Sequence, residues 1–480
     1  MTLRKRGRLM KKDIIKPTYQ EIMPVYKELF NRNKMKEFLQ KANVKLYWRL
    51  LTPLIILWGF IIQRLSSDHT CDEVVDHFRR GEADTIDPHD KNKVPLSKRL
   101  KSESTSAYVQ GRERLPLTIL VEAKKYISKV IGTWLPGNEK ATWKGLAVRL
   151  IDGTTYRLPP HGDIVEVYGQ SSNQYGPGYW VTVRSVAAFC LYTQGVVSNV
   201  EKPTSVSEKA MVREVMEGDE IEGSLYVGDQ GFGVYRTVQV SRACNKKVLL
   251  RVEKKIAKAL QKRNGKRYLN PGEQTRLFWQ PVEQNVVEPE LPTEAIEGRL
   301  IFARLEKKGF RPIDIYLFTT LLDEELYSAE ELVELYGHRL QVEINYRHIK
   351  TTLEMEEFNI QSVCMFQKEL AAGLLTYNLI CGFMVKASLI AGLLPSKLSF
   401  KRCWRRIRNV FLKGIPLLVY EENLLETYLL ERLAKCKLPH QPNKVRYEPR
   451  KVRRRPAIFP NLKGDRNVAR QELLEQYTNS

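Results

Sequence analysis

No two of the seven cysteines in this 480-residue chain stand at CxxC spacing, which excludes a zinc ribbon and a redox dithiol. Scattered and odd in number, they suit reduced thiols. The seven histidines are as dispersed, and only His338 and His348 share a segment. The basic start, MTLRKRGRLMKKDIIKPTYQ, is followed by no apolar core of the kind a secretory signal carries. A membrane-spanning run is lacking as well. Leu50 to Ile62 (LLTPLIILWGFII) is the single candidate, contains Pro53, and falls short of the ~20 apolar residues a bilayer demands, so a buried core helix in a soluble protein is expected. There is no internal repeat and no low-complexity tract. Acidic residues are scarce: 55 Asp and Glu face 78 Lys and Arg, a formal net charge of +23. Such an excess points to a polyanionic partner, because each cation set against a phosphate releases condensed counterions. Nucleic-acid enzymes, ribosomal proteins and membrane-surface proteins share this bias.

Several kinds of pattern are present. Residues 1–140 carry apolar residues at helical spacing in FNRNKMKEFLQKA, LIILWGFIIQRLS, CDEVVDHFRRG and LTILVEAKKYISKVIGTWL. Near Lys144 the period changes. GLAVRLIDGTTYRLP alternates as a strand does, and VTVRSVAAFCLYTQGVVSNVEKP reads as two strands around Thr193-Gln194-Gly195. SEKAMVREVMEGD is a short helix, GSLYVGDQGF a buried strand, GVYRTVQVSRAC a helix and KKVLLRV a strand. The whole predicts a mixed α/β sheet flanked by helices. From about Glu253 to Asp323 the sequence is irregular and then β-like, with strands in RLFWQPVE, GRLIFARLE and IDIYLFTTLL. A long helix is predicted from Ser328 to about Glu357, followed by the more apolar KELAAGLLTYNLICGFMVKASLIAG. Two basic clusters, Lys401–Arg408 and Lys444–Arg455, mark the last eighty residues.

Three acids stand out by context. Asp152 ends an apolar strand before Gly153, and Asp229 ends another between Gly228 and Gly231-Phe232-Gly233. Open α/β sheets build their sites at the carboxyl ends of strands, although an Asp before Gly is also ordinary turn chemistry. The third is Glu343. On a continuous α-helix Tyr336, Arg339, Glu343 and Lys350 project within an arc of about 60°. A salt-bridged solvated face has the same pattern. Cutting a phosphodiester calls for two divalent ions ~3.5–4 Å apart, one on the entering and one on the leaving oxygen. Carboxylates are the suitable ligands and Mg²⁺ the suitable ion. Lys350, ~10 Å along the helix from Glu343, then lies where neighbouring phosphates would pass.

The order Asp152, Asp229, Glu343 with Tyr336-x2-Arg339-x3-Glu343-x6-Lys350 resembles the DDE transposases of the insertion sequence 4 family. LIDGTTYRLP, YVGDQGF and NQYGPGYW resemble that family too, and the likeness runs from roughly Leu50 to Pro456. Two positions depart: Leu340 stands where Trp is frequent and Gln230 where Arg is frequent.

The resemblance implies an RNase H-like catalytic domain in two parts, 141–250 and 326–400, split by a β-rich insertion at 251–325. An all-helical DNA-binding domain over 1–140 and a basic region over 401–480 complete the expected organisation. It implies Asp152, Asp229 and Glu343 as catalytic residues holding two Mg²⁺, with Mn²⁺ as a substitute and no organic cofactor. Tyr336, Arg339 and Lys350 are expected to bind DNA near the cut, not to serve mainly as ion-pair partners of Glu343. Trp279, the single Trp of the insertion, is expected to stack on a flipped base, or else to belong to the insertion's core. The implied activity is cut-and-paste strand cleavage and transfer through a hairpin. The partners are terminal inverted repeats, target DNA and a second copy of the chain, in a nucleoid-associated cytoplasmic protein without a membrane. Two other readings share the features, a DNA-binding protein without catalysis and a nuclease that cuts without joining.

Overall fold

The structure is a computed structural model that describes residues 29–480 apart from 30, 47, 49, 88–93, 136–141, 171, 174–175, 283–286, 307–311, 421–428, 440–463 and 479–480. The basic start, the Lys444–Arg455 cluster, and Gln174 and Tyr175 of NQYGPGYW lie outside the described residues.

One eight-stranded mixed sheet organises the chain. Its strands are β1 (Val148–Leu158), β2 (Val181–Cys190), β3 (Val196–Pro203), β4 (Leu225–Gly228), β5 (Lys247–Val252), β6 (Gln274–Trp279), β7 (Ile296–Leu305) and β8 (Ile313–Thr319). Across the sheet they run β3-β2-β1-β4-β5-β8-β7-β6. β1 is antiparallel to β2 and parallel to β4, and β4 is parallel to β5. The central strands are apolar on both faces, as sheets covered on both sides are. Leu225 and Val227 enter one core, while Tyr226 between them enters the other. The segment expected as an insertion does not form a sheet of its own: β8 pairs with β5, so β6, β7 and β8 extend the same sheet.

Helices cover both faces. On one lie α1 (Pro53–Leu65), α2 (Cys71–Arg79), α3 (Ser106–Arg114) and α4 (Leu117–Thr133). On the other lie α5 (Glu208–Glu217), α6 (Tyr235–Ala243) and α7 (Lys254–Arg263). α7 corrects the expectation of irregular chain after Glu253. There Ile256, Ala257 and Leu260 give one apolar face, and the many lysines between them obscure the helical period. Next come α8 (Ala329–Tyr336), α9 (Leu340–Arg347), α10 (Val363–Ala391) and α11 (Phe400–Tyr420).

α1 starts with a Thr52 cap and Pro53 in its first turn, and all thirteen of its residues are buried. It is the core helix that the sequence predicted. α10, not Leu50–Ile62, is the described helix long and apolar enough to cross a membrane, yet 83% of its most apolar window is buried inside the protein. Its charges are satisfied there. Glu369 pairs with Arg112 and, at 3.3 Å, with Arg64, while Lys368 donates to the carbonyls of Arg112 and Glu113. These bonds and a shared apolar core make α1–α4 continuous with the sheet's own core.

Candidate active site

The sheet delivers two acids to one edge. Parallel pairing of β1 with β4 ends at Leu150 opposite Val227, so Asp152 lies two residues past the last pair, at the carboxyl edge. β4 stops at Gly228, and Asp229 follows directly. Each carboxylate is fixed by a neighbouring amide: the Gly153 N–H donates to Asp152 at 2.9 Å and the Gly231 N–H to Asp229 at 2.8 Å.

The third acid comes from the segment after β8. Buried Arg299 donates to the carbonyls of Asp323 and Tyr327 at 3.0 and 2.9 Å, fixing the loop that leads into α8. A capping box of Ser328 and Glu331 then starts that helix. The predicted single helix runs in four segments. α8 ends at Tyr336, a tight turn spans Gly337–Arg339, α9 follows, and His348–Thr352 widen into a π turn. Such π turns recur at functional sites. The Tyr346 hydroxyl docks α9 onto β1 by donating to the Asp152 carbonyl at 2.8 Å.

Arg339 sits at the centre. Its guanidinium is 2.6 Å from Glu343, 3.7 Å from Asp152 and 4.0 Å from Asp229. A cation therefore already lies where the three carboxylates converge. Among the described residues no three His, Cys, Asp or Glu side chains are grouped closely enough to hold a metal ion. The donor set itself, three hard oxygen ligands around a positive charge, fits a divalent cation once Arg339 moves away. Burial pushes the Asp152 carboxyl up to about 6, helped by the Asp229 charge and opposed by the Gly153 amide and Arg339. The adjoining cleft, about 350 Å³, is lined by Asp152, Glu343, Tyr346, Arg347, Lys350 and Glu356 among others.

Asp152, Asp229, Glu343, Arg339 and Lys350 are thus brought together, but the stripe is not uniform. Tyr336 is buried, and its hydroxyl bonds with Arg251 of β5. Lys350 is 3.6 Å from Glu356 and does not pair with Glu343. Arg339 pairs with Glu343 as well as approaching the two aspartates.

Trp279 is corrected more sharply. It is 2% exposed and packs edge-on against Phe318 with ring centres 4.7 Å apart, so it presents no face to a base. The period of two along β6 turns Trp279 inward and leaves Phe278 outside at 48% exposure. One residue escaped the sequence reading altogether. Glu208 begins α5, and its carboxylate packs over the Cα of Gly153, close enough that a side chain there would collide with it. Burial raises the Glu208 carboxyl, and so does the Asp229 charge. Nothing in SEKAMVREV signals this placement, because only the return of the chain across three strands creates it.

Residues 143–379 match the transposase DDE domain family, a span that contains all three acids and Lys350. The chain is 24% identical over 304 residues to the transposase InsG for insertion sequence element IS4 of Escherichia coli (strain K12). That alignment covers 62% of this chain and 64% of the relative's length. Among solved structures, a cryo-EM structure of the piggyBac transposase synaptic complex with hairpin DNA aligns over 88% of this chain and 86% of that one, at 12% identity and a TM-score of 0.35.

Proposed function

We propose that the chain is a DDE transposase of the insertion sequence 4 family, which cuts DNA at the ends of a mobile element and joins them to a target; the matches to the transposase DDE domain and to an insertion sequence 4 transposase support this reading. The observation that carries this reading is the convergence of Asp152, Asp229 and Glu343 on one cation at the carboxyl edge of the sheet. We read the core as RNase H-like. The order β3-β2-β1-β4-β5, with β1 antiparallel to β2 and parallel to β4, supports that assignment. In this reading residues 141–250 and 326–400 make the catalytic unit, 251–325 an insertion that widens its sheet, 1–140 an end-binding region and 401–480 a basic region for phosphates.

Asp152, Asp229 and Glu343 would hold two divalent ions, Mg²⁺ or Mn²⁺, which supply Lewis acidity to the entering and leaving oxygens. Arg339 exchanges its three carboxylates for a DNA phosphate as the strand enters. A planar guanidinium suits that bidentate contact. Lys350, which lines the cleft beside Asp152 and Glu343, binds the next phosphates of the same strand. Tyr336, buried and bonded to Arg251, steadies the segment that carries Arg339. Hydrolysis at the element end frees a 3′ hydroxyl, which attacks the opposite strand and closes a hairpin. A second hydrolysis opens the hairpin, and the released 3′ hydroxyl attacks target DNA. Pairing of two ends implies a homodimer during the chemistry, acting on the nucleoid in the cytoplasm.

The test is to incubate the protein and Mg²⁺ with DNA carrying the sequences that flank its gene, and to resolve the products on denaturing gels. Nicks at inverted repeats, followed by hairpin ends and joined products, are expected. Cleavage at random positions without joining would replace this reading with that of a nuclease.

A further inference from the structure

Helix α7 leaves the sheet at the catalytic edge. Gly228 pairs with Leu250, so Asp229 neighbours Arg251, and Lys254 begins α7 three residues later. From Lys254 to Arg267 the chain carries Lys254, Lys255, Lys258, Lys262, Arg263, Lys266 and Arg267 and no acid. The helix buries Ala257, Leu260 and Gln261 and presents its five cations to solvent, and Lys266 and Arg267 just beyond its end are exposed as well. Lys254, Lys258 and Lys262 recur every four residues, and Lys255 joins them within an arc of about 100°.

Like charges at this spacing repel one another and destabilise a helix. The protein offers little relief. None of Lys254, Lys255, Lys262, Arg263 and Lys266 lies within 4.0 Å of a described carboxylate, while Arg267 pairs with Glu273. The acids facing this helix are Glu253 ahead of it, Glu273 beside β6, and Asp314 of β8, which is bonded to Arg304. Tyr268, 54% exposed, lies under the Lys258 ammonium with the Nζ 5.1 Å from its ring, so the aromatic continues the cationic face.

We propose that the α7 face binds the phosphate backbone of duplex DNA passing over the catalytic edge, without reading its sequence. The inference rests on the function proposed above only for the route of that duplex. A straight row of ammonium groups about 6 Å apart suits a phosphate backbone, and it offers none of the pockets that reading base edges demands. Repulsion along the row is relieved when the phosphates dock.

The test is fluorescence-anisotropy binding of the full chain to a labelled duplex of arbitrary sequence, in EDTA, over a series of salt concentrations. Each phosphate contact contributes about 0.9 to the slope of log K against log salt, so Lys254→Ala/Lys258→Ala/Lys262→Ala together should flatten it by about 2.7 and weaken binding tens to a hundredfold near physiological salt. The corresponding Lys→Arg triple should bind as wild type. Alanine favours helix, so melting is expected to stay unchanged. Should the triple variant melt early, Lys258→Glu alone must still weaken binding. Alanine variants with wild-type affinity and slope would make α7 a merely solvated face. A wild-type protein that binds through α7 yet never nicks element ends would leave this surface standing and remove the proposed function.

Discussion

Replacing Arg339 by alanine should make the protein bind divalent cations without DNA. The Arg339 guanidinium touches Glu343 at 2.6 Å and stands 3.7 and 4.0 Å from Asp152 and Asp229. The Glu343 contact is an i,i+4 pair with a half-exposed acid, worth about 0.3–0.5 kcal/mol. The two aspartates are better shielded. At ~4 Å a charge pair is worth ~1 kcal/mol in water and ~4 at a protein surface, so after discounting for exposure each contributes about 1 kcal/mol. A metal ion must displace roughly 2 kcal/mol of existing attraction, and since about 1.4 kcal/mol is tenfold, Arg339→Ala should bind Mn²⁺ some ten- to thirtyfold tighter. Titration of free Mn²⁺ by electron paramagnetic resonance, in the absence of DNA, reads this directly. The same variant should melt only a few degrees lower without metal and regain the loss with Mn²⁺, by linkage. Arg339→Lys should keep weak metal affinity while impairing DNA cleavage, because an ammonium does not reproduce a bidentate guanidinium contact. Unchanged or weaker Mn²⁺ binding by Arg339→Ala would refute the idea that this side chain holds the cation position.

Other expectations follow from the same geometry. Lys350→Ala should impair formation of a paired-end complex in a gel shift while leaving melting unchanged, since its exposed contact with Glu356 is worth under ~1 kcal/mol. Trp279→Ala should cost ~3–5 kcal/mol of stability in denaturant titrations, as loss of a buried aromatic does, whereas Phe278→Ala should leave stability intact. Asp219→Ala strands buried Arg149, otherwise bonded to Asp219 at 2.8 Å, and should destabilise the chain by ~3–5 kcal/mol. Burial alone would raise the Asp219 carboxyl, but Arg149 and Lys246 hold it below its ordinary 3.8. The unfolded chain therefore takes up that proton first. Its stabilisation is complete above pH ~4 and declines as pH falls through the folded value, which acid titrations of the wild type against Asp219→Asn should show.

Much of the site was legible because it lies where local pattern and topology agree. An acid at the close of an apolar run can be read without knowing the partner strands, and this singled out Asp152 and Asp229, although β1 continues past Asp152 to Leu158. Glu343 was found by its spacing from Tyr336, Arg339 and Lys350, although the helix assumed for that spacing is broken at Gly337–Arg339 and widened at His348–Thr352. What stayed hidden depends on contacts distant in sequence. Glu208 reaches Gly153 across 55 residues, and Arg299 reaches Tyr327 from inside the sheet. The placement of β6–β8 beside β5 is set by pairing that no single strand announces. α7 was missed for another reason: its apolar face is only three or four residues wide, and five cations overwrite it. Trp279 shows the limit of reading an aromatic by type, since the period of the strand turns it inward.

The central claim is that Asp152, Asp229 and Glu343 together form one metal-dependent cleavage site. Its most direct measurement is the rate of Mg²⁺-dependent nicking of element-end DNA by Asp152→Ala, Asp229→Ala and Glu343→Ala, with end binding recorded beside it for each. All three should bind the end within a few-fold of wild type and nick it at no detectable rate, with no activity in EDTA. A variant that retained near wild-type nicking, or a wild type that nicked in EDTA, would contradict the account.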